Sequence, residues 1–174
     1  MGLFSAKTIL TSLALFHITM GFFFLTSPGT IADQSLVLVL GDAMGLPEAR
    51  SFEVKSDSLA FLAAVLLVFG ISDLVAISLP DEIGQYHWGS QAPVRFIVFF
   101  GLVVYSYSFS SSSPLYESST YRASSWGEGL KNRVLFSWAF LEMITWFWAY
   151  TTLREERREF MMRKALRKAE EDMM

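Results

Sequence analysis

The feature that most constrains this chain is the length of its apolar runs, four of which extend over roughly 17 to 23 residues. At about 1.5 Å of rise per residue, such a run carries a helix across a hydrocarbon core about 30 Å thick. A soluble domain keeps its apolar residues in shorter periodic patches. Lipid offers no water to a backbone N–H or C=O, so a run that crosses has to be helical. The expected fold class is therefore all-α: a polytopic membrane protein built as a four-helix transmembrane bundle plus a short interfacial helix.

The expected spans cover about residues 8–25, 57–79, 93–110 and 134–153. The first ends at the breaker Thr26, Ser27, Pro28 and Gly29. It is longer than the roughly 7–15-residue core of a signal peptide and has a weak basic flank, so it reads as a span. Asp57 offers an N-cap to the second span, and Pro80 stops it. Pro93 is pre-set for the first turn of the third, which fades into the serines of residues 108–113. The fourth is dense in aromatics, among them Phe136, Trp138, Trp146 and Trp148.

One more apolar segment, residues 35–46, is too short to cross and reads as an interfacial or re-entrant helix ended by Gly45 and Pro47. Gly41 and Gly45 have GxxxG spacing, but that motif marks a dimerisation face only inside a full span. Residues 1–153 form the expected transmembrane domain, and residues 154–174 a charged helical tail.

Lys and Arg set the orientation of such a chain. With both termini on one side, that side holds nine of them: Lys7, Arg95, Arg154, Arg157, Arg158, Arg163, Lys164, Arg167 and Lys168. The opposite side holds five: Arg50, Lys55, Arg122, Lys131 and Arg133. The bias places both ends in the cytosol and a flexible serine-rich connection, residues 108–125, on the other face. In the tail, Met162, Leu166, Ala169 and Met173 mark a narrow apolar stripe suited to the anionic leaflet or a partner. Acidic residues nearly balance the basic ones there, which equally fits a solvated stalk.

Several chemistries are excluded or unsupported. The chain has no cysteine, so it has no disulfide, thiolate zinc site or cysteine nucleophile. Asn132, the only asparagine, is not in a glycosylation sequon, and Ala6 breaks the myristoylation pattern that begins at Gly2. Two histidines in separate segments, His17 and His87, do not make a multi-histidine metal site. Phosphate loops, nucleophile elbows and HExxH patterns are absent, and nothing points to a catalytic residue, a cofactor, a metal or nucleic acid. Asp81, Glu82, Gln85, Tyr86 and His87 bunch in what reads as a short cytosolic loop, beside Trp88 as an interface anchor.

Ionisable groups inside spans are costly, and four need an explanation: His17, Asp73, Arg95 and Glu142. Asp73 sits about 9 Å below the end of the second span, and Arg95 just inside the third on the same side. The short connection makes these two spans antiparallel neighbours, and a snorkelling arginine can reach that carboxylate through a forked bond. Glu142 and His17 fall near the midpoints of their helices and can share a proton if the first and fourth spans pack together. Each pair reads either as glue between helices or as part of a polar pathway.

Four segments carry a resemblance. They are residues 42–47 (Asp42, Ala43, Met44, Gly45, Leu46, Pro47), residues 69–74 around Gly70 and Asp73, residues 92–100 with Pro93, Val94 and Arg95, and residues 153–156. In these the chain resembles the fungal family "increased loss of mitochondrial DNA protein 1", with a longer serine-rich connection and a shorter acidic tail. The resemblance implies a multi-pass protein of the endoplasmic reticulum membrane, associated with loss of mitochondrial DNA and altered fatty-acid use. It implies no agreed reaction, and it assigns Asp73 and Arg95 no role although both lie in matching segments. The leading expectation is a non-enzymatic accessory or scaffold protein that affects lipid balance and works with the bilayer and a membrane-protein partner. A transporter or ion-channel subunit using Asp73, Glu142 and His17 is the alternative, and a lipid-modifying enzyme is a third.

Overall fold

The computed structural model of the chain describes residues 4–108 and 127–173, and every regular element among them is helical, with no strand. In chain order they form α1 (Ala6–Thr26), α2 (Gly29–Ala32), α3 (Ser35–Ala43), α4 (Asp57–Ile77), α5 (Asp81–Ser108) and α6 (Arg133–Met173). Two 3₁₀ turns, Arg50–Phe52 and Glu128–Leu130, precede α4 and α6. Most of the serine-rich connection lies outside the described residues.

Local chemistry sets the helix starts. The Ser5 hydroxyl accepts from the Thr8 N–H at 3.2 Å, and Ser56 does the same for Leu59 at 3.3 Å. Ser56 rather than Asp57 is therefore the cap of α4, and Asp57 adds a negative charge to its first turn. Asn132 caps α6, accepting from the Leu135 N–H at 2.9 Å. α3 ends in a Schellman motif: Leu46 N–H donates to Gly41 C=O at 2.8 Å and Gly45 N–H to Asp42 C=O at 3.2 Å. Gly45 takes φ 62°, which only glycine adopts without strain.

Two expectations change. The third long helix starts at Asp81 rather than Pro93, so the cluster from Asp81 to His87 is helix, not loop. Pro93 sits inside that helix. Among the described residues, three helices are long and apolar enough to cross a membrane: α1, α4 and α5. The fourth expected span lies in α6 and is not among them, because Glu142 and its many Trp, Tyr and Thr residues dilute its apolarity. α6 runs unbroken for 41 residues, about 60 Å, buried on one face up to Leu153 and exposed along most of its remainder.

The long helices pack as a chain of neighbours. α4 lies along α1, α5 lies along α6, and α1 meets α6 between them. α4 and α5, although joined by only Ser78, Leu79 and Pro80, do not lie along one another. This corrects the expectation of adjacent antiparallel spans. Two apolar clusters fill the bundle, one around Leu10, Leu13, Trp88, Trp146 and Leu153, the other around Phe24, Val37, Leu59, Leu66 and Val134. At the first end, the Ala6 N–H at the start of α1 donates to Glu156 Oε1 at 2.8 Å. The beginning of α1 and the departure point of the tail thus share one end of the bundle.

α3 is too short to cross and packs against α6. A Cβ at Gly41 would come within 2.7 Å of Arg133 Cβ, so the first glycine of the GxxxG spacing faces α6 of the same chain.

Candidate functional site

Four helices each contribute one ionisable side chain to the bundle interior: His17 from α1, Asp73 from α4, Arg95 from α5 and Glu142 from α6. Arg95 Nη1 donates to Asp73 Oδ2 at 2.8 Å and Nη2 to Oδ1 at 2.9 Å, a two-pronged pair. The long arginine side chain spans the gap that the α4 and α5 backbones leave open. Its guanidinium carbon lies 4.7 Å from the Trp146 ring centre, 4.9 Å from Phe69 and 5.6 Å from Trp88. Each distance is within the about 6 Å over which a ring quadrupole attracts a cation. Aromatic faces thus replace part of the water that the charge has lost.

The second pair is deeper. His17 Nε2 comes within 2.7 Å of Glu142 Oε1, with the two side chains 3% and 0% exposed. The approach is not a well-aligned hydrogen bond, and Glu142 Oε1 and His17 Nδ1 have no hydrogen-bond partner. The other carboxylate oxygen accepts from Trp146 Nε1 at 2.9 Å. Trp146 therefore joins the two pairs, binding Glu142 through its N–H and Arg95 through its ring face. Phe69 does so on the other side, edge-on to His17 at 6.0 Å.

All four sequence-derived candidates, Asp73, Arg95, Glu142 and His17, thus fall in one connected cluster. The arrangement can clamp four helices together.

Sequence reasoning did not assign Trp88, Trp146 and Phe69 to this cluster. Trp88 is 3% exposed and stacks on Trp146 at 6.0 Å, so it is a core residue and not an interface anchor. Spacing held the signal: Phe69 and Asp73, and likewise Glu142 and Trp146, are four apart on one helix face, and Trp88 is seven before Arg95. Among the described residues, no group of three or more acidic or histidine side chains is placed to hold a metal ion.

The chain is 29% identical over 153 residues to Protein ILM1 of Saccharomyces cerevisiae (strain ATCC 204508 / S288c). That match takes in 86% of this chain and 66% of the relative, just under two thirds of its length. No solved structure matches the chain. The sequence model of the family described as Increased loss of mitochondrial DNA protein 1 matches residues 4–163, which takes in α1 to α5 and three quarters of α6, and the chain belongs to that family.

Proposed function

We propose that this protein is a non-enzymatic accessory or scaffold component of the endoplasmic reticulum membrane. It crosses four times, with both termini in the cytosol, and affects lipid or fatty-acid balance and, indirectly, mitochondrial DNA maintenance. The observation that carries the reading is that the intramembrane charges are directed at one another: Asp73 with Arg95, and Glu142 with His17 and Trp146. Such pairing holds helices together and leaves no charged group pointing at a substrate. The fourth crossing is supported by α6 lying beside α1 and α5, which puts Glu142 at the depth of His17. An even number of crossings agrees with the contact between Ala6 and Glu156, and the nine basic residues on that side favour the cytosol. Beyond Phe160 the exposed tail offers a partner a charged helix with the stripe of Met162, Leu166, Ala169 and Met173.

The experiment is affinity purification in mild detergent of the intact chain beside a form lacking residues 161–174. A single stoichiometric partner, cross-linked to the tail and lost with it, is the expected result. The alternative, a transporter or ion-channel subunit, draws on His17 Nδ1, a buried nitrogen without a hydrogen-bond partner beside the His17–Glu142 contact. Ion or proton flux from the purified protein in liposomes, abolished by Glu142→Gln, would sink the scaffold reading.

A further inference from the structure

At one end of the bundle a cavity of about 340 Å³ opens between the first turns of α1, the end of α4, the first turns of α5 and the stretch of α6 around Glu156. That volume is at the lower end of the roughly 300–1,000 Å³ of small-molecule sites. Leu10, Ile77, Leu153 and Trp88 supply apolar wall, and Trp88 also touches Arg95, so the cavity adjoins the charge cluster. The charged lining is Lys7 from α1, Asp81 from α5, and Glu156, Glu159 and Arg163 from α6. The three on α6 are engaged: Glu156 Oε1 accepts from the Ala6 N–H, and Arg163 donates to Glu159 at 3.1 Å. Lys7 and Asp81 are different. Both are exposed, and among the described residues neither side chain makes an ion pair or a hydrogen bond, so each is open to a ligand as it stands.

The chemistry of an occupant follows from these charges and from their level. α1 begins at Ala6 and α4 ends at Ile77, and both are long and apolar enough to cross a membrane. The cavity therefore lies where the hydrocarbon core gives way to head groups. A simple anion would meet three carboxylates against two cations there. A metal ion would find no three acidic or histidine side chains placed for it among the described residues. A zwitterion satisfies both free groups at once, its anionic half on the Lys7 ammonium and its cationic half on the Asp81 carboxylate. Gln85, one turn on from Asp81, and the second oxygen of Glu156 add acceptors to the same lining. A primary ammonium has three N–H donors for such acceptors. A quaternary ammonium has none and is held by cages of aromatic rings, whereas the rings lining this cavity are only Phe160 and the buried Trp88.

We propose that this cavity binds the head group of phosphatidylethanolamine, with the Lys7 ammonium on its phosphate and Asp81, joined by Gln85 and Glu156, on its primary ammonium. The acyl chains run back into the hydrocarbon core. Lys7 stands on α1, which packs along α4, and Asp81 on α5, which packs along α6, so one bound lipid ties the two helix pairs together at this end. The site does not depend on the accessory reading, because it forms whether or not the tail recruits a partner.

Lipids that share their acyl chains and differ in the head group test the site. The intact protein is equilibrated in mixed micelles with equal amounts of dioleoyl phosphatidylethanolamine, phosphatidylcholine and phosphatidylglycerol, and native mass spectrometry reads the retained lipid. The wild-type chain is expected to retain the ethanolamine lipid roughly fivefold over either of the others, the scale of about one net hydrogen bond. Asp81→Asn, which keeps the size and removes the charge, brings the ethanolamine-to-choline ratio to about one. Lys7→Gln lowers retention of both zwitterionic lipids and leaves their ratio unchanged. Both residues are exposed, so each variant is expected to keep the wild-type melting temperature. Equal retention of the ethanolamine and choline lipids by the wild type overturns the proposal, as does a preference for phosphatidylglycerol, which makes the cavity an anion site. A preference that survives Asp81→Asn places the lipid elsewhere on the protein and overturns it too. Displacement of the lipid by equimolar O-phosphoethanolamine, the free head group, overturns the lipid assignment and makes the ligand a soluble zwitterion.

Discussion

Arg95 shows how a single side chain can compensate for a gap between helices. Its guanidinium reaches across from α5 to make both bonds to Asp73, while Phe69, Trp88 and Trp146 enclose its faces. Removing one partner of a buried ion pair leaves an uncompensated charge and costs about 3–5 kcal/mol, whereas replacing both by apolar residues of similar size is often neutral. Asp73→Ala is therefore expected to lose about that amount in thermal or denaturant unfolding in detergent. Asp73→Leu combined with Arg95→Met should recover most of it, and a double variant as unstable as the single one would show that the pair acts through more than its charges. Lysine would not substitute for Arg95, because a point charge keeps neither the fork nor the flat stacking surface.

Among the helices, the α1–α4 contact is closest at two glycines. A Cβ at Gly70 would lie 2.6 Å from Ile18 Cγ1 and 2.7 Å from the Ala14 carbonyl oxygen. At Gly21 it would meet Leu67 Cγ at 2.8 Å and the Ala63 carbonyl at 3.0 Å. Small residues matter here because lipid tails are as apolar as leucine, so helices associate through close packing rather than through escape from water. At Gly70 one obstacle is backbone, which cannot swing aside. Gly70→Ala is expected to destabilise by about 1–3 kcal/mol through overpacking, seen as a lower melting temperature and a weaker α1–α4 cross-link. Gly101, with nothing within 4 Å of an added Cβ, is the control, and Gly101→Ala should leave the cross-link unchanged and the melting temperature no lower, because alanine without a clash favours a helix.

The whole molecule divides naturally into two halves. α1 and α4 pack together in the first, α5 and α6 in the second, and the halves meet where α1 and α3 touch α6. The Asp73–Arg95 and His17–Glu142 pairs both cross that divide. A chain cut in the turn between α4 and α5, with the halves co-expressed, is expected to purify as a one-to-one complex. Combining Asp73→Asn with His17→Ala should cut recovery of the second half severalfold, because each change leaves a buried partner unsatisfied. Full recovery in that variant would mean that shape alone holds the halves together.

Much of this was legible in one dimension. Run length marked α1, α4 and α5 as helices able to cross, because burying a backbone in lipid depends only on how many consecutive residues tolerate it. The expense of ionisable groups in apolar runs singled out His17, Asp73, Arg95 and Glu142. The start of α5 at Asp81 was not legible, since polar residues from Asp81 to Gln91 look like a loop until the burial of Trp88 and Ala92 shows one face packed. Neighbour relations were hidden for a related reason: in lipid an apolar side chain is tolerated on every face, so sequence pattern does not say which helix lies beside which. Packing shape decided that α4 follows α1 instead of α5, and so decided that two separate ion pairs become one cluster joined by Trp146. By itself the sequence determined that α1, α4 and α5 hold apolar runs able to cross a membrane and which ionisable groups lie within the helices. Only the tertiary structure determined which partners they found, because that depends on the fit of surfaces distant in the chain and not on the character of any one segment.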